Sequence, residues 1–320
     1  MPAGQGAMND PVALADFGSF YAGGAPRRIA GQPVRDIQFT RTARFSYDPN
    51  GQYHFEQAYV QYFIPARRVQ PLPLVLLHGG GMTGAMWEHT PDGRPGWLQE
   101  FVRMGHAVYV VDNVERGRAG WAPFSEVWPD APILRNAEES WSLFRFGRAQ
   151  DYASRRAFAG QRFPIAAFDD FVRQSVPRWL GNNDAALEGF CAVLDRVGPC
   201  LVIAHSHGGE VAYRALQRRP DLVRGVIGIE PSGFSADVAG VDGKPFLFVY
   251  GDYLDATPLW IQLAAAGQAY AASLTAAGGR VDHWHLPAMG IAGNSHMPMM
   301  DDNSAELARR IGRWIIDAAP

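Results

Sequence analysis

Apolar residues in this chain fall into two rhythms, and the switches between them mark out its elements. Short runs rich in apolar residues predict strands at residues 72–78, 107–111, 200–204, 223–229, 245–250 and 280–286, the one at 200–204 buried on both faces. Stripes at helical spacing predict helices at 97–104, at 184–194, from Gly208 to a stop at Pro220, at 260–276, and from Ser304, the expected N-cap, to 316. Strand and helix alternate, which argues for a parallel sheet wrapped by helices. Two alternating runs, 37–47 and 53–64, flank the turn signal Asp48-Pro49-Asn50-Gly51 and predict an antiparallel hairpin at one edge. Residues 1–33 show little periodicity and read as an arm, with Phe17, Phe20 and Tyr21 laid against the core.

The alternation breaks between Asp112 and Cys200. Residues 113–197 hold no convincing buried strand but carry Trp121, Phe124, Trp128, Trp141, Phe144, Phe146, Phe158, Phe163, Phe168, Phe171 and Trp179 in an arginine-rich background. This reads as a helical cap inserted before the strand at 200, leaving 34–112 and 198–320 as the α/β core. Most of its rings should form the cap's own small core, and some should line the space beneath it.

Composition narrows the partners. Net charge is −3, and Lys244 is the only lysine among 29 cationic side chains, with the arginines scattered and forming no stripe. Neither nucleic acid nor an anionic membrane is an expected partner; a small molecule is, and nothing in the chain forbids a homodimer. No apolar run is long enough to span a bilayer, and no basic-then-apolar leader opens the chain. The chain reads as cytoplasmic if complete and as periplasmic or secreted if a leader has been removed. Cys191 and Cys200 read as buried, inert thiols.

The chemistry centres on P-C-L-V-I-A-H-S-H-G-G, residues 199–209, where a strand gives way to a helix at Ser206. A turn that sharp needs small residues two positions away, and Ala204 and Gly208 supply them, which is the pattern of a nucleophile elbow. A serine hydroxyl needs a base to take its proton and a carboxylate to orient that base. His296, in the glycine-rich loop between the last strand and the last helix, is the candidate base; His205 and His207, as immediate neighbours, are expected to shape the pocket instead. His283 and His285 share a face of one strand and read as a packed pair before a metal pair. For the acid, Glu230 ends one strand, while Asp252 and Asp255 follow the next, and position alone leaves all three open. After the first parallel strand, His78-Gly79-Gly80-Gly81 lets backbone amides approach a substrate; it lacks the lysine and hydroxyl of a phosphate-binding loop. One amide of that loop with the amide of His207 would bind an oxyanion.

H-G-G-G, A-H-S-H-G-G, I-E-P and G-N-S-H, in this order, resemble the α/β-hydrolase superfamily, and more narrowly a branch of bacterial carboxylesterases whose acid is a glutamate after the sixth strand. The likeness includes H-G-G-G-M-T-G and the W-E-x-T-P-D-G-R-x-G-W run that follows, and extends over about 17–314. It implies an α/β-hydrolase fold with a mostly parallel twisted sheet. It also implies Ser206 as nucleophile, His296 as base, Glu230 in preference to the two aspartates as acid, and the amides of Gly80 and His207 as oxyanion donors. Two features depart from the superfamily's commoner pattern: Ala204 stands at the first elbow glycine, and the cap precedes the nucleophile strand. The expected activity is cleavage of an apolar or aromatic carboxylic ester through an acyl-enzyme, without metal or organic cofactor. The alternatives are the same triad acting on a lactone or amide, and a catalytically silent protein of the same fold that only binds.

Overall fold

Along the buried strands, successive side chains enter opposite layers, and this alternation builds two cores on one sheet. Leu74 and Leu76 face one layer while Val75 and Leu77 face the other; Leu201 and Ile203 separate from Val202 and Ala204 in the same way. The computed structural model describes residues 11–318. Its strands are β1 (Leu14–Ile29), β2 (Arg35–Gln38), β3 (Arg44–Tyr47), β4 (Gly51–Pro65), β5 (Leu74–Leu77), β6 (Val108–Asp112), β7 (Cys200–His205), β8 (Val223–Ile229), β9 (Pro245–Tyr250) and β10 (Arg280–His285). The α-helices are α1 (Trp97–Arg103), α2 (Ala137–Leu143), α3 (Phe168–Val172), α4 (Asn183–Val197), α5 (Gly208–Arg218), α6 (Pro258–Ala276) and α7 (Ser304–Ala318).

Eight strands form one sheet in the order β1-β4-β6-β5-β7-β8-β9-β10. The six from β6 to β10 run parallel, and β4 and β1 complete the edge antiparallel. Helices α1 and α7 cover one face and α4, α5 and α6 the other. This is the doubly covered, mostly parallel sheet expected from the alternation, and it is the α/β-hydrolase fold.

The antiparallel edge is made of different strands from those the turn signal suggested. The partner of β4 is β1, in register from Phe17 opposite Phe63 to Ile29 opposite Gly51, while residues 37–47 fold back on themselves as the separate β2–β3 pair. Asp48 does build its turn, accepting from the Asn50 N–H at 2.8 Å, but the arms of that turn pair elsewhere. The expected hairpin between 37–47 and 53–64 is therefore corrected. β1 is an edge strand with most of its side chains exposed, so it carries no clean hydrophobic alternation to announce it. Positions 1–10 of the expected arm lie outside the described residues.

Ser304 is the first helical residue of α7 and not its cap; its Oγ donates to Met299 O at 2.7 Å, and Asn303 O receives the first helical hydrogen bond. Above the sheet, Trp141, Phe144, Phe146, Phe163, Phe168 and Phe171 pack edge to face and merge with the α1–α7 layer instead of forming a core of their own. Among the described residues, no helix is long and apolar enough to cross a membrane. Both cysteines are free and buried, and burial pushes Cys191 up to about 11 and Cys200 to about 12, so neither is a thiolate near neutrality.

Candidate active site

The elbow forms because β7 delivers the chain into α5 with no room for a gradual turn. Ser206 sits in left-handed backbone at φ 52°, a conformation that costs about 1–3 kcal/mol for a residue with a side chain. It is held there from several sides. Its N–H donates to Ile229 O at 3.0 Å, and its carbonyl accepts from Gly209 at 2.9 Å and Ser232 at 3.2 Å. Gly208 is required by contact: a Cβ there would lie 2.5 Å from the carbonyl oxygen of His78. The Ser206 hydroxyl meets Ser232 Oγ at 3.2 Å.

Glu230 leaves the end of β8, also at φ 52°, and is fully buried. Its Oε2 lies 3.0 Å from His296 Nδ1, and its Oε1 accepts from Arg145 Nη2 at 2.7 Å and from the Gly251 N–H. Burial alone would raise this carboxyl, but the Arg145 guanidinium and the His296 hydrogen bond outweigh it and hold the group at about 2. His296 is driven down to about 4 by burial, against the pull of Glu230 and with Arg145 and Arg135 adding repulsion. The pair at neutral pH is thus a carboxylate beneath a neutral imidazole. Since Nδ1 faces a carboxylate, that nitrogen is assigned the proton, which leaves the Nε2 lone pair free to accept one.

The ring is boxed in. Phe144, Trp260 and His205 surround it at centroid distances of 5.4, 4.3 and 4.6 Å. The His296 N–H donates to Phe144 O at 3.0 Å, and its carbonyl meets His205 Nε2 at 2.9 Å. The loop beneath is equally fixed. Asp301 accepts from Ser295 N, Ser295 Oγ and Asn294 Nδ2 at 2.7–2.8 Å. Arg94, from the W-E-x-T-P-D-G-R run, donates to the carbonyls of Met300 and Asp301, both at 2.9 Å.

Of the three candidate acids, the structure brings only Glu230 to the imidazole. Asp252 instead braces the loop backbone, accepting from Gly293 N at 2.9 Å, and Asp255 is exposed. His205 and His207 line the cavity as expected. His283 stacks on Tyr250 at 5.3 Å, and among the described residues no metal-binding cluster forms around it.

Ser206, His296, Ser232, Gly80 and His207 line one cavity of about 120 Å³ accessible to water, whose apolar wall is Leu143, Phe144, Leu259, Trp260 and Leu263. Among the described residues, neither the Gly80 nor the His207 N–H has an acceptor in the chain. Three contributors escaped the sequence. Arg145, at φ 60° and fully buried, lies 4.3 Å over the Trp260 ring and donates through Nε to Asp252 O at 2.8 Å. Trp260 comes from α6, outside the aromatic insertion. Ser232 stands two residues after Glu230. Ser232 had a local signal in its place inside I-E-P-S-G beside the candidate acid, and Arg145 a faint one in its apolar flanks.

No family model matches the chain. It is similar to a solved structure described as a novel bacterial esterase, at 30% identity over 98% of both chains with a TM-score of 0.83. It is also 29% identical over 218 residues to a protein named probable secreted lipase phiG from a fungal species; that match takes in 65% of this chain and 56% of the relative's length. The near end-to-end likeness to the bacterial esterase, on the fold described, shows that the chain belongs to the esterases of the α/β-hydrolase superfamily.

Proposed function

We propose that the protein hydrolyses carboxylic esters in two acyl-transfer steps on Ser206. The observation that carries this reading is the His296–Glu230 hydrogen bond at 3.0 Å, with the imidazole lining the same cavity as a serine held in left-handed backbone. Ser206 Oγ turns from Ser232 to His296 Nε2, gives up its proton and attacks the ester carbonyl. Glu230 stabilises the imidazolium that forms. The unpaired amides of Gly80 and His207 receive the oxyanion, the first of them from a glycine loop and the second at the start of α5, where the helix dipole favours negative charge. His296 then protonates the leaving alcohol, and water repeats the sequence on the acyl-enzyme. The wall of Leu143, Phe144 and Trp260 supports an apolar or aromatic group on the substrate. An exported setting is part of this reading, resting on the secreted relative.

Ser206→Ala is expected to lower turnover of a p-nitrophenyl ester by about a thousandfold or more while leaving the far-ultraviolet circular dichroism spectrum unchanged. A fluorophosphonate probe should label the wild type and not the variant. Undiminished turnover in the folded variant would overturn the assignment.

A further inference from the structure

Two arginines line the reaction cavity and take no part in the scheme above. Ile133 and Arg178 exchange backbone hydrogen bonds of 2.8 Å in both directions, an isolated antiparallel bridge. The Val176 N–H donates to Gly81 O at 2.9 Å, which staples this strip to the glycine loop. Arg135 follows two residues after the bridge, and it and Arg178 both line the cavity, near enough for the charge of one to act on the other. The guanidinium of Arg178 lies against the loop: a Cβ on Gly80 would come within 2.7 Å of its Nη1.

Arg178 differs from the other arginines that line or brace the site. Arg94 and Arg145 are ion-paired, and Arg135 is paired with Glu139. Among the described residues no carboxylate or carbonyl accepts from the Arg178 guanidinium, and its Nε is buried without a partner. Burial first, and then the charge of Arg135, holds the group below the usual guanidinium range. The carboxylate that offsets it is Glu210, which stands 3.6 Å from Arg214 and 3.8 Å from His207. A partly buried cation with a like charge beside it is costly to keep unpaired, and a cavity that keeps one is built to receive an anion.

Resting on the ester-hydrolase reading of Ser206, we propose that the substrate carries a free carboxylate besides its ester, as in the hemiester of a short dicarboxylic acid, and that Arg178, with Arg135 beside it, receives that carboxylate. The planar fork of a guanidinium matches a carboxylate with two parallel hydrogen bonds. Its contact with the Gly80 loop sets the carboxylate a short spacer from the carbonyl under attack, in keeping with the small cavity. The apolar wall takes the uncharged part.

The test compares p-nitrophenyl hemiglutarate with p-nitrophenyl valerate, which has the same acyl length and a methyl in place of the carboxylate. The wild type is expected to favour the hemiglutarate in kcat/KM by about tenfold or more, and Arg178→Gln to cut that preference by about tenfold or more, mainly through KM. Arg178→Lys, which keeps the charge without the fork, should fall between. Free glutarate should inhibit the wild type competitively, less so in high salt, a result that needs no variant. Valerate turnover without preference for the hemiglutarate, no glutarate inhibition, or an equal loss on both esters in Arg178→Gln would overturn the charge assignment and leave the hydrolase standing. If neither ester is turned over, both readings fail.

Discussion

The two sides of the His296 imidazole are built on opposite plans. On the Nδ1 side every partner is supplied by the chain and is dry: Glu230 and Arg145 are fully buried, and the Gly251 amide and the Trp260 ring complete the enclosure. On the side facing the cavity, the chain leaves its groups short of partners. Among the described residues, Ser206 has a single side-chain hydrogen bond at 3.2 Å, the two amides have no acceptor, and no carboxylate pairs directly with the Arg178 guanidinium. The first side fixes orientation before substrate arrives. The second keeps donors and acceptors in reserve for atoms that only the substrate brings, which is how a site favours a transition state over its own resting state.

Removing the anion from the dry side should have the largest consequence. Glu230→Gln is expected to lower kcat by about a thousandfold and to destabilise the fold by about 3–5 kcal/mol, because Arg145 is left as an uncompensated buried charge. Turnover and urea unfolding of the same preparation read both effects, and a small loss in each would mean that the enclosure is not what orients His296. Arg145→Met probes the same side without touching the triad. The wild type should show kcat/KM rising with pH through about 4, the value to which burial holds His296, and flat from there to neutrality. Taking away the Arg145 repulsion lets His296 rise, so the variant's acid limb should move to higher pH; an unmoved limb would separate Arg145 from the histidine.

Acid stability tests how far the dryness extends. His78 and His296 are held near 4, His106 near 4 and His207 near 3, all chiefly by burial. These values lie below the unfolded value of about 6.5, so the unfolded chain takes up protons that the folded chain refuses. Stability is therefore full above about pH 6.5 and falls as pH drops toward 4, by up to about 1.4 kcal/mol per pH unit for each histidine. Glu230 adds a further loss between 4.5 and about 2. Urea midpoints that stay constant from pH 6.5 to 4.5 would contradict this. The smallest effect belongs to the open side. Ser232→Ala removes one neutral hydrogen bond and should change kcat only a few-fold. A loss of a hundredfold or more would make Ser232 part of the machinery and blur the contrast between the two sides.

How much could be read in advance follows the reach of each interaction. The parallel strands and the elbow are local: runs rich in apolar residues, a switch of period at Ser206, and two small residues around it. Glu230 and His296 stand at strand ends and loops that the fold must place at one rim, so their meeting follows once the sheet order is known. The pairing of β1 with β4 and the partners of Arg145, Trp260 and Arg178 depend on contacts across many tens of residues. A buried arginine has no sequence signature that separates it from a solvated one. In F-R-F, residues 144–146, the apolar flanks are the one hint, and only the fold shows that the charge they enclose points at a carboxylate.

Ser206, Glu230 and Arg145 all occupy the same left-handed region, with φ between 52° and 60°. Glu230 and Arg145 compensate each other's buried charge and must both stay, so evolution under pressure for heat resistance alone would find relief at Ser206, by trading the side chain for a hydrogen atom. Selections that reward a high melting point should thus enrich sturdy but idle proteins, unless turnover is scored in the same round.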